Sequence, residues 1–315
     1  AHSPLFLLAM FSWITNCALL VGVLVLCYWI FLLVKFVLRH FTKPSDAFLK
    51  KLSGGDAWAV VTGASDGIGK AYAVTLAKKG FNVFLISRTL SKLEAVAQEV
   101  ETHGVKSKVM SVDFIAAGSE QFAEIEQEIR SLGNVAVLVN NVGVNYSYPN
   151  HFLEATEEQD LNIVNVNINV TNRMTRIVLP SMVEKKKGAI VNLSSMAGRV
   201  PTPMLSVYSG TKAYVDFFSK CLAQEYKSQG IVVQSVTPGM VVSNMSKVRK
   251  TSMLVASPEH IASRSLGKLG DDVELSPFYT HGILNHVFKM LPTSVTSKYL
   301  HNMNKGIQKR ALRKR

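Results

Sequence analysis

Tyr208 and Lys212 are the side chains whose types and spacing point most directly to chemistry. Residues four apart on a helix lie on one face, so the phenol and the ammonium of this pair would be neighbours. A phenol ordinarily keeps its proton up to a pKa of about 10, and a nearby ammonium favours the phenolate. The pair is therefore a candidate proton donor near neutral pH, although an exposed helical pair without chemistry has the same spacing.

Other motifs precede this pair in the chain. A glycine-rich segment runs from Thr62 to Gly69, an Asn-Asn-Val-Gly segment begins at Asn140, and Ser194 and Ser195 lie shortly before the tyrosine. The joint pattern resembles the short-chain dehydrogenase/reductase family over roughly residues 58–246. The resemblance implies an oxidoreductase in which a nicotinamide cofactor delivers hydride to a carbonyl group.

The hydrophobic pattern after residue 57 predicts the fold. Short apolar runs alternate with helical stretches, which is typical of a parallel sheet covered by helices on both faces. We therefore expect an α/β fold, a Rossmann-type doubly wound parallel sheet. The predicted strands are Trp58–Val61, Asn82–Ile86, Lys108–Val112, Val135–Val139, Ala189–Leu193 and Val232–Val236, and the predicted helices are Gly69–Lys79, Ser91–Thr102, Glu120–Ser131, Ile163–Lys186 and Val207–Gln229.

The glycine-rich segment follows the first predicted strand and opens the first predicted helix. Glycines at such a place let the backbone approach a pyrophosphate, which sits at the positive N-terminus of the helix. A purely structural turn would also use glycines, but the strand before and the helix after favour a cofactor site. The candidate cofactor-binding residues here are Gly63, Ser65, Asp66, Gly67, Ile68 and Gly69.

Arg88 stands where the second predicted strand ends, at the position that separates NAD from NADP in dinucleotide-binding folds. An acidic residue there would bind the ribose 2′-hydroxyl, whereas a guanidinium suits a 2′-phosphate. We therefore expect NADPH as the cofactor. The alternative is a solvated arginine at the start of a helix.

The family resemblance adds further cofactor residues. Asp113 matches the family's acid that contacts the adenine, and Asn140 and Gly143 match its Asn-Asn-x-Gly loop. Pro238 and Gly239 match its loop beside the nicotinamide. All five follow predicted strands, and ligands of open α/β sheets bind at the carboxyl ends of strands.

The resemblance also implies a catalytic set. Tyr208 would donate the proton as hydride reaches the carbonyl carbon. Lys212 would lower the pKa of Tyr208 and hold the ribose hydroxyls of the nicotinamide. Ser195 would hydrogen-bond the carbonyl oxygen and stabilise its developing negative charge.

Asn167 completes this set by resemblance, as the residue that holds a water linking Lys212 to solvent. Asn165 and Asn169 are close competitors because three asparagines alternate in this segment. No metal is expected, since the three cysteines of the chain lack a metal-ligand spacing.

The N-terminal segment has no charged residue from Leu5 to Val34. About 20 apolar residues span the hydrocarbon core of a bilayer, so we expect a transmembrane helix rather than a buried core helix. Lys35, Arg39 and Lys43 follow the apolar run, and the positive flank of a membrane helix normally stays in the cytosol. The catalytic domain should therefore face the cytosol, and the Asn-x-Ser/Thr sequons should stay unglycosylated.

These patterns divide the chain into four parts. We expect a membrane anchor over 1–40, a polar linker over 41–56, the NADP-binding catalytic domain over 57–275, and an amphipathic segment with a basic tail over 276–315. The stretch His281–Leu291 fits a helix on the membrane and a packed surface helix equally well. With a net charge of +13, the protein favours anionic lipid headgroups as partners of the basic tail, and nucleic acid is the weaker alternative.

Short strings narrow the resemblance within the family. Residues 140–146, 85–89, 216–219 and 225–226 are similar to microsomal very-long-chain 3-oxoacyl-CoA reductases, a branch that also contains 17β-hydroxysteroid dehydrogenases of types 12 and 3. This resemblance implies NADPH-dependent reduction of 3-oxoacyl-CoA in the endoplasmic reticulum membrane. The partners would be a condensing enzyme, a dehydratase and an enoyl reductase of fatty acid elongation.

Two other functions stay open. One is a ketosteroid reductase on the same scaffold, and the other is a non-catalytic lipid-surface protein, which the intact catalytic set disfavours. A homo-oligomer is compatible with the acyl-CoA reductase and with the ketosteroid reductase. The terminal Arg313-Lys-Arg315 resembles an Arg-x-Arg retention signal of the endoplasmic reticulum.

Overall fold

The computed structural model describes residues 4–42 and 44–313. The chain divides after residue 43 into two compact units. The first contains one long helix, α1 (Pro4–Phe41). Its segment Leu8–Leu38 is long and apolar enough to cross a bilayer, and none of its most apolar window is buried. The predicted membrane helix therefore has the length and composition that spanning requires.

The second unit is built on a parallel sheet of seven strands in the order β3-β2-β1-β4-β5-β6-β9. Six strands agree with the predicted ones to within one residue at each end, and β9 escapes prediction because two residues show no periodicity. The sheet strands are β1 (Trp58–Thr62), β2 (Asn82–Ser87), β3 (Ser107–Ser111), β4 (Val135–Asn140), β5 (Gly188–Leu193), β6 (Ile231–Val236) and β9 (Glu274–Leu275); a small parallel pair, β7 (Met240–Val241) and β8 (Val255–Ala256), lies outside the sheet.

Helices cover both faces of the sheet, and a separate apolar cluster fills each interface. Alternate residues of the buried strands feed the two clusters, as expected for strands buried on both sides. The helices of this unit that follow β1 are α3 (Gly67–Lys78), α4 (Leu90–Glu101), α5 (Ser119–Ser131), α6 (Glu157–Val164), α7 (Val170–Glu184), α8 (Ser206–Glu225) and α9 (Pro258–Leu266). One face of the sheet carries α3, α4 and α9, and the other carries α5, α7 and the end of α8.

The strand order reverses between β1 and β4, which lie side by side in parallel. In doubly wound sheets this reversal opens a crevice at the carboxyl ends of the strands, where ligands bind. The glycine-rich segment follows β1, and the Asn-Asn-Val-Gly segment follows β4. The fold class predicted from the sequence is confirmed, and it brings these two motifs to one edge.

The segment predicted as a polar linker is partly structured. Ala47–Leu52 forms a short helix, α2, whose Leu49 and Leu52 are buried in the core. The Ser45 amide donates to the carbonyl of Gly267 at 2.7 Å. Two lysines separate the buried leucines in the sequence, so the segment shows no clear apolar pattern. The linker prediction is wrong for Ala47–Leu52, which packs on the core.

The long helix predicted over 163–186 is two helices joined by one π-helical turn. α6 begins earlier than predicted because Thr156 and Gln159 form a reciprocal capping box. The π turn covers Asn165–Asn169 and leads directly into α7. π turns of this kind occur often at functional sites.

The predicted C-terminal segment and tail form two helices, α10 (Tyr279–Met290) and α11 (Thr293–Leu312). Each has one buried side: His281 and Asn285 in α10, and Leu300 and Asn304 in α11. The stretch predicted as amphipathic is therefore packed on the domain along one side while exposing apolar residues on another.

We expect Leu52→Ala to lower the free energy of unfolding by about 2–5 kcal/mol, because it empties a packed core position. The exposed neighbour Lys50→Ala is the control and should change this free energy by less than about 0.5 kcal/mol. Denaturant unfolding of the detergent-solubilised protein measures both. Equal small effects would mean that α2 is a linker after all.

Candidate active site

The glycine-rich loop after β1 is held in a shape that only glycine permits. Gly63 and Gly67 have φ angles of +65° and +54°, in the left-handed region. A Cβ on Gly69 would lie 2.1 Å from the carbonyl oxygen of Gly63. The side-chain amide of Asn141 donates to the carbonyls of Thr62 and Gly63 at 2.9 and 3.1 Å. The first turn of α3 therefore approaches the loop too closely for any side chain.

Two side chains of the loop attach it to its surroundings. Ser65 Oγ lies 2.8 Å from Ser87 Oγ at the end of β2. Asp66 caps α3 by accepting from the amide of Gly67 at 2.8 Å, and its other oxygen accepts from Asn244. Ile68, the remaining predicted contact, packs partly buried against the core. The helix N-terminus is thus fixed in the crevice, where an anion would meet its positive end.

Arg88 and Asp113 lie at the ends of β2 and β3, on the same edge. Arg88 is exposed, and its carbonyl accepts from Ser111 Oγ at 2.9 Å. Its guanidinium has no partner among the residues that the structure describes. Asp113 is half-buried and accepts from the amide of Ile115 at 3.1 Å. An exposed guanidinium at this edge is compatible with a phosphate ligand, and the role of Arg88 stays a prediction.

Asn140 braces the central strands from inside. Its amide nitrogen donates to Asn192 Oδ1 at 2.9 Å and to Thr175 Oγ1 at 3.1 Å. Asn192 in turn donates to Ser219 Oγ at 2.9 Å. This chain joins β4 and β5 to the helices on one face, while Asn140 Oδ1 is buried with no hydrogen-bond partner among the described residues. Asn192 begins one of the four Asn-x-Ser/Thr sequons, and its full burial removes that sequon from the surface.

Lys212 is buried, with 5% of its surface exposed. Its ammonium donates to the carbonyl of Leu193 at the end of β5, at 2.8 Å. Its own carbonyl accepts from Ser194 Oγ at 2.6 Å, which leaves Ser194 fully engaged in structure. Burial lowers the pKa of Lys212 to about 8, because desolvation disfavours the charged form.

Ser195 and Tyr208 meet across the site. Ser195 Oγ accepts from the amide of Ala197 at 3.1 Å and interacts with the Tyr208 hydroxyl. Burial raises the pKa of Tyr208, and the interaction with Ser195 lowers it in part. The Lys212 ammonium is 5.8 Å from the centre of the Tyr208 ring. The pKa of Tyr208 therefore moves upward, opposite to the direction expected from Lys212, because desolvation is the larger effect.

Asn167 is the asparagine of the π turn that faces the site. It is buried, and its side chain accepts from the amide of Val144 at 2.8 Å and donates to the carbonyl of Val144 at 3.1 Å. It also donates to Thr211 Oγ1 at 3.0 Å. Asn165 and Asn169 instead bond to each other on the exposed side. The structure thus separates Asn167 from its two competitors.

Gly143 is the point where three elements converge. A Cβ there would lie 3.1 Å from Asn167 Oδ1 and 3.3 Å from Lys212 Nζ. The loop after β4, the π turn and α8 therefore approach one another so closely that a side chain at 143 would crowd both groups. Glycine at 143 opens the space in which Asn167 and Lys212 come together.

His281 is a site residue that the sequence did not reveal. Its Nδ1 accepts from the amide of Gly239 at 3.0 Å, and its Nε2 lies 3.1 Å from the carbonyl of Leu254. Burial lowers the pKa of His281, which favours the neutral ring that this pairing needs. The carbonyl of Pro238 accepts from the amide of Met196, one residue after Ser195. A lone histidine in an amphipathic stretch gives no sequence signal for such a contact.

These residues fit a dinucleotide cofactor. A left-handed glycine loop at a helix N-terminus suits a pyrophosphate, and the free guanidinium of Arg88 suits a further phosphate. The Ser195, Tyr208 and Lys212 side chains lie at the same edge of the sheet, beyond β5. The arrangement can bind a dinucleotide along the strand ends and exchange a proton beside it.

The family model for short chain dehydrogenases matches residues 57–253. The chain belongs to this family. Short chain dehydrogenases use nicotinamide cofactors, and this member is an NAD(P)-dependent oxidoreductase that acts on CH-OH and C=O groups.

Two curated relatives and one solved structure place this short chain dehydrogenase more closely. It is 45% identical to a very-long-chain 3-oxoacyl-CoA reductase of Anas platyrhynchos, over 83% of this chain and 84% of the relative. It is 40% identical to a very-long-chain 3-oxoacyl-CoA reductase of Homo sapiens, over 82% of each chain. A short-chain dehydrogenase from Sphingobium yanoikuyae in complex with NADPH is 28% identical and superposes with a TM-score of 0.63, covering 70% of this chain and 86% of that one.

The lowered pKa of Lys212 predicts how the stability of this dehydrogenase depends on pH. Between pH 8 and pH 10 the unfolded chain keeps the lysine proton that the folded chain releases, so stability should rise with pH. The contribution is about 1.4 kcal/mol per pH unit at most. Thermal unfolding of wild type and Lys212→Met across this range measures it. As the pH rises, the wild type should gain stability relative to the variant. Parallel curves of melting temperature against pH would contradict a buried Lys212 with a lowered pKa.

Proposed function

We propose that this protein reduces 3-oxoacyl-CoA to 3-hydroxyacyl-CoA with NADPH, in the elongation of very-long-chain fatty acids. The observation that carries the proposal is the name shared by its relatives, since they align with more than four fifths of the chain. The contacts among Ser195, Tyr208 and Lys212 support it, because they supply a proton donor and a carbonyl-oxygen partner side by side.

Tyr208 supplies the proton in this proposal. A nicotinamide cofactor, when bound, supplies the hydride. The raised pKa keeps the Tyr208 hydroxyl protonated at neutral pH, which suits an acid that serves carbonyl reduction. Ser195 holds the carbonyl oxygen beside that hydroxyl, where its developing negative charge needs a hydrogen-bond donor. Lys212 brings a positive charge near the phenol and stabilises the phenolate that is left.

Asn167 is proposed to hold a water that links Lys212 to solvent. Both donors of its side-chain amide are used, on Val144 and Thr211. A water would therefore bind through the second lone pair of Oδ1 or through the main-chain carbonyl. The closeness of Oδ1 and the Lys212 ammonium to Gly143 supports this role.

The basic segment after β7 is proposed to meet the phosphates of coenzyme A. Lys247, Arg249 and Lys250 are exposed there. Lys247 reaches across to the carbonyl of Ser147 at 2.8 Å, and Arg249 donates to Asn244 at 3.1 Å. A cluster of cations beside the site suits a polyanionic substrate and offers nothing to an uncharged steroid.

We expect purified protein to turn over 3-oxoacyl-CoA of long chain length with NADPH much faster than any ketosteroid. Tyr208→Phe is the matched control, because it removes only the proton donor and should reduce the rate by on the order of 10²–10⁴. The absorbance of NADPH, followed as it is oxidised, measures the rate with each substrate and the rate of the variant. Preferential turnover of ketosteroids would replace the proposed substrate, and full activity of Tyr208→Phe would remove its assigned role.

We expect the wild type to prefer NADPH over NADH, and Arg88→Asp to weaken or reverse that preference. A charge-assisted hydrogen bond is worth about 1.5–3 kcal/mol, so catalytic efficiency with NADPH should fall roughly 10- to 100-fold. Lys227→Asp, an exposed charge reversal just before β6, is the control and should leave the ratio unchanged. Equal use of both cofactors by the wild type would refute the role of Arg88.

We also propose that the protein resides in the endoplasmic reticulum membrane with its catalytic unit in the cytosol. The bilayer-length helix α1 and the basic residues after it support this orientation. Work beside a condensing enzyme, a dehydratase and an enoyl reductase follows from the proposed pathway. The retention signal remains a proposal, and Lys314 and Arg315 lie outside the described residues.

Protease added to intact microsomes should digest the catalytic unit, and glycosidase treatment should cause no shift in mass. The first result follows from a cytosolic domain, and the second from sequons that never enter the lumen.

Neutralising Arg313 and Arg315 should release part of the protein to later compartments if sorting depends on them. A protected domain would overturn the orientation, and unchanged localisation would overturn the signal.

A further inference from the structure

The C-terminal segment has an unusual charge. From Leu275 to the end of the chain there is no acidic residue. The same stretch contains eight basic residues, which are Lys289, Lys298, Lys305, Lys309, Arg310, Arg313, Lys314 and Arg315. Most of the chain's net charge of +13 therefore comes from its last two helices and the tail that follows them.

The outer surface of α11 is divided lengthwise. Its buried face contains Thr296, Leu300 and Asn304. Val295, Tyr299 and Met303 each precede one of these by one residue and form a stripe along the helix, with exposed fractions of 51%, 58% and 40%. At 3.6 residues per turn, the lysines at 298, 305 and 309 fall on the far side of this stripe. An exposed apolar stripe thus lies between the domain and a row of cations.

The neighbouring helix extends the same surface. Ile283, Val287 and Met290 of α10 are exposed, as is Leu291 between the helices. The rings of Phe288 and Tyr299 lie 5.9 Å apart and join the two helices. We call this combined area the C-terminal apolar surface; it consists of Ile283, Val287, Met290, Leu291, Val295, Tyr299 and Met303.

We propose that the C-terminal apolar surface is a peripheral binding site for anionic membranes, a second attachment besides α1. Exposed apolar residues flanked by lysines, with no acidic residue in the segment, match the composition of helices that lie in the membrane interface. The charge is complementary to anionic headgroups. Because the chain also carries a helix of bilayer length, lipid is the occupant that the chain itself brings near.

The same helices are bonded to the walls of the active site. Asn304 donates to the carbonyl of Pro203 at 2.8 Å, in the segment that leads into the helix of Tyr208. His281 of α10 contacts Gly239 and Leu254. Membrane contact at this surface would therefore set the position of the site relative to the lipid. That this serves an acyl substrate rests on the proposed function, whereas lipid binding does not.

A fluorescent label tests the proposal in the full-length protein. With Cys17, Cys27 and Cys221 replaced by serine, Tyr299→Cys carries an environment-sensitive nitrobenzoxadiazole probe. Lys227→Cys, at an exposed turn before β6, carries the same probe as the control. Both proteins are reconstituted into vesicles of phosphatidylcholine alone or mixed with phosphatidylserine. Spin-labelled lipid reports contact with the bilayer, and aqueous iodide reports exposure to water.

We expect the probe at 299 to shift to shorter wavelength and to be quenched by spin-labelled lipid in the anionic vesicles, while the probe at 227 stays accessible to iodide. Replacing Lys298, Lys305 and Lys309 together by glutamine should return the 299 probe to water without changing the melting temperature. A 299 probe that iodide reaches in both vesicles would overturn the proposal. If the probe at 299 is protected from iodide only after microsomal proteins are added, the proposal is also overturned, and the surface binds a protein partner instead.

Acyl-CoA turnover measured in the same vesicles keeps the two proposals separate. Lipid contact at residue 299 without turnover of 3-oxoacyl-CoA would support the surface and refute the proposed function. Turnover that is unaffected while the probe stays in water would refute the surface and leave the proposed function standing.

Discussion

The burial of one ammonium group is the constraint on which the site depends. Lys212 lies almost wholly out of water, and in the part of the chain that the structure describes no carboxylate pairs with it. Its ammonium donates a hydrogen bond to the carbonyl of Leu193 at 2.8 Å. Burying a charge is costly unless other groups compensate, and here the cost is expressed as a pKa lowered to about 8.

Several neighbouring features follow from that burial. Gly143 leaves little room for a side chain, because a Cβ there would lie 3.1 Å from Asn167 Oδ1 and 3.3 Å from Lys212 Nζ. Ser194 is committed to the main chain of Lys212, so Ser195 is the serine left to meet Tyr208. The chain of amides from Asn140 through Asn192 to Ser219 holds β4 and β5 to α8 from behind. The side chains proposed to react are thus held in place by contacts that lie outside the proposed chemistry.

The sequence predicts the parts of this protein whose signals are local. The six longer strands each have an apolar run bounded by polar residues, and the motifs after β1, β4 and β5 lie where the fold must place them. The linker prediction is wrong because α2 is too short for a periodic signal. Contacts such as that of His281 with Gly239 join residues far apart in the chain, and no local pattern encodes them. The direction of the Tyr208 pKa also depends on burial, which the spacing of two residues does not determine.

The π turn between α6 and α7 has a consequence for how this chain can change in length. Within that turn each carbonyl bonds one residue further along than in an α-helix, and Val170 donates to Asn165 in this way. Deleting Ile168, the residue after Asn167, would restore a regular helix and rotate the residues before it by about 100° relative to α7. Asn167 would then lose its bonds to Val144 and Thr211. The number of residues in this turn is therefore constrained by the direction in which the Asn167 side chain must point.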